Sequence, residues 1–353
     1  MAARSKRQKL SQLESFRRHV PHMSISGLSA TLAHVKKVGL PDLNSRGDIR
    51  EARDVVVDEE TEFGAICQQL PLTCHNNGSM TQLTFMHPLA FLAVLLGTCV
   101  AFSAYFENVH DANPSSYERP WRMALYSDEV TPGNPLKCKN DRKVQVVYYS
   151  FMEFGELLCD EDMWFTLTSK RSSEVVNIDG GMSQIFGRLI HLLFETCALT
   201  AAGAVLKLAS GRTIRLFAKL KIFIQDGGAH KITWHCKGDS GSKSCLLCRN
   251  VFNKDHLVSE VDDDGDTTCD ICHKSGLDLA TDEEIKEAAR RVHHFKSIDD
   301  PDTFKTRQQA NGFTWMPYNI LVDPLIDDYV HPKSQFMHDW MHCIFVGGVW
   351  NIT

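Results

Sequence analysis

The sequence predicts an α/β protein, a mixed sheet with flanking helices, on three observations. Runs at 122–128, 144–151 and 163–169 are rich in β-branched, aromatic and other apolar residues and read as successive strands. A long stretch at 182–207 then carries Ile185, Leu189, Leu192, Leu193 and Leu199 on one broad face, the pattern of an amphipathic helix. A fourth strand-like run, 214–225, closes the series. The first and fourth runs both stop on an aspartate, Asp128 and Asp226, ahead of a glycine-containing turn. A carboxylate at the C-terminal end of a buried strand sits on a rigid element at the mouth of a sheet, where ligands and metals gather. The competing reading is that both aspartates merely cap turns.

Along the chain, residues 1–53 form a basic helical N-terminal region, with helices expected at 8–20 and 26–38. Ser24 or Ser26 serves as N-cap for the second, and Gly39-Leu40-Pro41 stops it. Eleven Lys/Arg stand there against four acids, a local charge of +7. Led by Arg4, Lys6, Arg7 and Lys9, this arm reads as a phosphate-contacting element, a nuclear address or a solvated tail. Residues 54–119 hold an acidic-to-polar linker (54–80) and an apolar helix. The apolar run 89–106 is short of the ~20 residues typical of a membrane span and reads as a buried core helix, with Pro88 at its start. The strand series occupies 120–235, a Cys/His-rich insertion 236–295, and a return to the core 296–353.

The net charge of −6 argues against a uniformly basic nucleic-acid coat, and 43% hydrophobic residues suit an ordinary globular protein. Twelve cysteines without a recognisable secretory signal favour intracellular thiols or metal ligands over a disulfide framework. No P-loop, dinucleotide fingerprint or nucleophile elbow is present, which leaves an NTPase, a Rossmann oxidoreductase or an α/β-hydrolase without a motif.

Two C-x2-C knuckles, Cys245/Cys248 and Cys269/Cys272, are separated by 20 residues, within the range of tetrahedral structural zinc sites. Between them, Asp262-Asp263-Asp264-Gly265-Asp266 lacks the calcium-loop register and reads as a solvated acidic turn. His338 and His342, one helical turn apart, offer an alternative completion for Cys245/Cys248. His235, Cys236 and His273 stay unassigned.

Three strands, a helix and a fourth strand, with aspartates closing the first and fourth, is the element order of an RNase H-like fold. The Tyr126-Ser127-Asp128 segment, the run from Asp226 to Lys231 with Cys245-Leu-Leu-Cys248 behind it, and the closing His338-Asp339-Trp340-Met341-His342 resemble segments of the CACTA (En/Spm-like) DNA transposases. The resemblance covers roughly residues 120–350. It implies a transposase-derived DNA-binding and strand-transfer protein, with Mg2+ or Mn2+ at an acidic triad and a structural Zn2+. Asp128 and Asp226 would be the first two metal carboxylates, and Lys231 a phosphate contact. The third acid would be Asp339, on a late helix, or Asp323 or Asp327, or would lie beyond Thr353 in a truncated or domesticated product. The partner expected is DNA at transposon ends, with homo-oligomerisation, in the nucleus, and neither a small-molecule substrate nor a membrane. The alternative is a non-catalytic, zinc-stabilised interaction protein.

Overall fold

The computed structural model describes residues 25–39, 47, 60–75, 78–131, 142–251, 260–261, 267–268 and 277–339. The chain divides into two compact units, Met1–Val57 and Asp58–Thr353. In the first, helix α1 (Ile25–Val38) ends where Gly39 turns to φ +88° and donates its N–H to the Val35 carbonyl. Only glycine adopts that left-handed exit without strain. Arg4, Lys6, Arg7, Lys9 and the expected helix at 8–20 lie outside the described residues.

The second unit is organised by a seven-stranded mixed sheet. Its strands are β1 (Cys67–Thr73), β2 (Met80–Met86), β3 (Trp121–Val130), β4 (Val144–Phe151) and β5 (Phe165–Arg171). After a two-stranded hairpin, β6 (Ala204–Lys207) and β7 (Thr213–Leu216), come β8 (Ala218–Gln225) and β9 (Phe336–His338). The spatial order of the sheet is β9-β8-β3-β4-β5-β2-β1. Strands β9, β8 and β3 run parallel, while β3, β4, β5, β2 and β1 alternate antiparallel.

Several expectations change. Residues 67–73, read as linker or loop, and 80–86, read almost entirely as the start of the apolar helical segment, are the last two strands of the sheet. Both alternate in burial, with Leu72 in β1 and Leu83 and Phe85 in β2 buried between more exposed neighbours, and β1 carries Pro71, which a sheet edge tolerates. The apolar stretch 89–106 is not one helix. It breaks at Cys99, in extended backbone, into α2 (Pro88–Thr98) and α3 (Val100–Ala112), bent by 111°. Among the described residues no single helix is long and apolar enough to cross a membrane. The stretch 182–207 is helical only through α4 (Met182–Ile190) and a π-helical turn, His191–Thr196. Its remainder turns into the β6–β7 hairpin, with Gly203 at φ +68°.

One face of the sheet holds the core. Met123, Leu125 and Ser127 of β3 pair across to Phe151, Tyr149 and Val147 of β4, and all six are buried. Phe186 of α4 packs against Phe223 of β8 at 5.3 Å, and the Tyr149 hydroxyl donates to the Pro88 carbonyl of α2. The opposite face, carrying Tyr126, Asp128, Tyr148 and Ile224, is only partly covered.

Candidate functional site

The parallel trio β3, β8 and β9 brings three aspartates to one end of the sheet. Asp128 lies in β3 opposite Val146, and the strand runs two residues further than the sequence suggested, to Val130. Asp226 follows β8 directly, and Asp339 follows β9 directly. Strand register aligns them: Gln225 pairs with both Ser127 and His338, and the Asp339 N–H donates to the Gln225 carbonyl at 2.8 Å.

Period-two alternation puts Asp128 on the face of Tyr126, away from the core. There a cavity of about 650 Å³ is lined by Tyr126, Asp128, Tyr148, Glu161, Trp164 and Asp339, with Leu158, Val130 and Ile224 as its aliphatic part. The Tyr126 hydroxyl stands 3.4 Å from Asp128 Oδ2 and 3.5 Å from Asp339 Oδ2. The two carboxylates therefore lie no further apart than those lengths together. Burial and, next, the charges of Asp128 and Asp339 hold the Tyr126 phenol well above its ordinary range, so it remains protonated near neutral pH.

Asp226 is used differently. Its Oδ1 accepts the Ala229 N–H at 2.5 Å, capping helix α5 (Gly227–Trp234), and its side chain does not line the cavity.

The strand ends are braced from the core side. Gln225, fully buried, donates its amide to Ser127 Oγ at 2.6 Å and to Thr233 Oγ1 of α5 at 2.8 Å. His230 accepts at Nδ1 from the Trp234 indole at 3.1 Å, which leaves Nε2–H to donate to the Met337 carbonyl of β9 at 2.9 Å. Burial pushes the His230 pKa down to about 3, so this bridge is made by the neutral ring.

The stretch around Asp339 differs from expectation. Phe336–His338 is a strand, so His338 does not stand on a helical turn with His342, and Asp339 follows a strand rather than sitting on a helix. The rings of Phe336 and His230 stack at 3.7 Å, which holds this segment extended against α5. His342 lies outside the described residues. The other candidate acids are engaged elsewhere: Asp323 Oδ1 accepts the Leu325 N–H, and Asp327 pairs with Lys286 and Arg290. Lys231 lines a separate cavity of about 500 Å³, with His75, His235, Cys236 and Lys237.

The Cys245 and Cys248 thiols lie close enough to interact. Burial, then that contact, pushes Cys248 up to about 11. Cys236 is raised to about 11, chiefly by burial, and feels both Lys231 and Cys245. Cys269, Cys272 and His273 lie outside the described residues.

Two soft thiols on one tight turn suit half of a tetrahedral zinc set, and two carboxylates in one cavity suit a hard divalent cation that keeps several waters. Among the described residues no group of three or more His, Cys, Asp or Glu stands in metal-holding geometry.

Tyr148, Trp164 and Gln225 carry as much of this site as the aspartates, and sequence reading passed over them. The available signal was alternation, since Tyr126 and Asp128 share a parity that the β3–β4 register extends to Tyr148. What fold and site define is an α/β protein with an acid-lined, aromatic-walled cavity at the carboxyl ends of three parallel strands. No protein-family model matches the chain, and comparison with curated proteins gives no match.

Proposed function

We propose that this protein is a transposase-derived, RNase H-like nucleic-acid phosphoryl-transfer protein whose acidic site is Asp128, Asp339 and Asp226. One observation carries the reading: three aspartates stand in register at the same end of three adjacent parallel strands, and two of them converge on one hydroxyl in one cavity. The β3-β4-β5 meander followed by parallel β8 and β9, in the order β9-β8-β3-β4-β5, supports the RNase H-like reading of the sheet.

Asp128 and Asp339 would hold a divalent cation from two sides, with Tyr126 hydrogen-bonded between them when it is absent. When bound, Mg2+ or Mn2+ supplies Lewis-acid activation of a phosphodiester and of the attacking hydroxyl. Asp226 joins the set only by releasing the Ala229 N–H, which costs about 1 kcal/mol of capping. Cys245 and Cys248 would hold a structural zinc with ligands from the segment that follows.

The test is Mn2+ binding by calorimetry, paired with cleavage or strand transfer on duplex DNA. Asp128→Asn and Asp339→Asn should each weaken Mn2+ at least tenfold and abolish any DNA chemistry. Unchanged Mn2+ affinity in both variants would overturn the reading. The Asp226 cap specifically favours the second reading, an interaction protein in which strand-end carboxylates serve only turns. That reading expects all three Asn variants to be silent.

A further inference from the structure

We propose that the cavity wall formed by Tyr148 and Trp164 stacks an unpaired nucleobase beside the Asp128/Asp339 pair, so that the protein engages DNA at a frayed or single-stranded end. The inference rests on the phosphoryl-transfer reading above and assigns its substrate geometry.

The wall is built for flat ligands. Tyr126 and Tyr148 are register partners on adjacent strands, their rings 5.9 Å apart and inclined by only 21°. Trp164 meets Tyr126 at 6.0 Å and 65°, so the two tyrosines and the indole form a corner. The indole is fixed, because its Nε1–H donates to the Leu158 carbonyl at 3.0 Å. With that donor satisfied, Trp164 has no polar group left to offer a ligand and presents ring surface alone. Tyr148 and Trp164 are both half-buried, which leaves part of each ring facing the cavity. About 650 Å³ lies within the usual range of small-molecule sites and accommodates a nucleotide.

Charge decides how the ligand arrives. The described residues lining this cavity include Asp128, Glu161 and Asp339 but no lysine or arginine. The carboxylates among these described residues disfavour a bare phosphodiester, so a divalent cation held by them should strengthen binding. The base, by contrast, needs only an aromatic face, which any of the four bases can use. A base still paired in a duplex has its faces covered by its neighbours, so the wall selects nucleotides already out of the stack.

The experiment uses the full chain in Ca2+, with fluorescence anisotropy on a duplex carrying a three-nucleotide 3′ tail. The same duplex with abasic tail positions serves as the comparison. The wild-type protein should bind the base-bearing tail roughly 5- to 150-fold more tightly than the abasic one, the range that base–aromatic stacking supplies. Trp164→Ala should erase that difference, and Trp164→Phe should restore most of it. Equal wild-type affinity for the two tails, with Ca2+ dependence still lost in Asp128→Asn, would overturn the stacking and leave the phosphoryl-transfer reading standing. If no cation-dependent DNA binding occurs and a trimethyl-lysine peptide quenches Trp164 instead, the cavity is a cage for organic cations and both readings fall.

Discussion

The two faces of the central sheet are made by the same strands and follow opposite rules. On the core face, Leu125, Tyr149, Phe223 and Phe186 are fully buried, and Phe186 meets Phe223 edge-to-face. On the cavity face, Tyr126, Tyr148 and Ile224, one residue away in each strand, remain half-buried around carboxylates. A single step of alternation thus separates residues that hold the fold from residues available for chemistry. The difference teaches where substitution should destabilise and where it should only disable.

The sharpest way to break the comparison is a pair of truncations on β8. Phe223→Ala removes a ring packed between Phe186 and Trp234 and should cost about 3–5 kcal/mol in denaturant melts. Its neighbour Ile224→Ala, on the cavity face, should cost well under half of that. Equal costs would mean that the cavity face is as tightly packed as the core.

Acid should find the core face next. Burial pushes His230 down to about 3, and His87 and His235 each to about 4. Between those values and the ordinary 6.5, the unfolded chain takes up protons that the folded chain refuses. Stability therefore falls as pH drops below about 6.5, and each histidine withdraws about 2 kcal/mol by pH 5. Urea titrations at pH 7.5 and pH 5 measure this, and His230→Asn should flatten the slope by about one third of what these three histidines contribute together. A slope unchanged by that substitution would remove His230 from the brace between α5 and β9.

A smaller effect belongs to the polar brace. Gln225→Ala deletes the donor shared by Ser127 and Thr233 and should cost about 1–3 kcal/mol. The lower end is expected, because Gln225 Oε1 has no hydrogen-bond partner to lose. Calorimetry of Mn2+ binding on the same variant separates bracing from stability: affinity should fall while Asp128 and Asp339 are intact.

How much of this was legible in the sequence depends on range. Strand β4 was read with both of its ends, since Val144–Phe151 is β-branched and aromatic throughout and declares itself locally. Asp128 and Asp226 were found because each ends an apolar run. Strands β1 and β2 were missed because their stabilisation is pairing, not composition: β1 is mostly polar outside Leu70 and Leu72. The break at Cys99 is invisible to hydropathy, since both sides of it are apolar and only packing against the sheet demands a bend. His338-Asp339 read as helical from its 4-residue His spacing. Three residues of parallel pairing to β8 and the ring stack on His230 outweigh that weak periodicity.

The smallest predicted effect is also the one that decides what Asp226 is for. As an N-cap, its carboxylate satisfies the Ala229 N–H, a duty that asparagine performs about as well. Asp226→Asn should therefore leave stability within about 0.5 kcal/mol of wild type, while Asp226→Ala should lose about 1 kcal/mol. As a metal ligand, the same residue contributes a negative charge that asparagine lacks. If Asp226 turns toward the cavity when a cation is present, Asp226→Asn should weaken Mn2+ several-fold with no change in the denaturation midpoint. Loss of stability without loss of Mn2+ affinity in the Ala variant, and neither in the Asn variant, would confine Asp226 to the helix terminus. The acidic site would then consist of Asp128 and Asp339 alone, the two carboxylates that already share the Tyr126 hydroxyl.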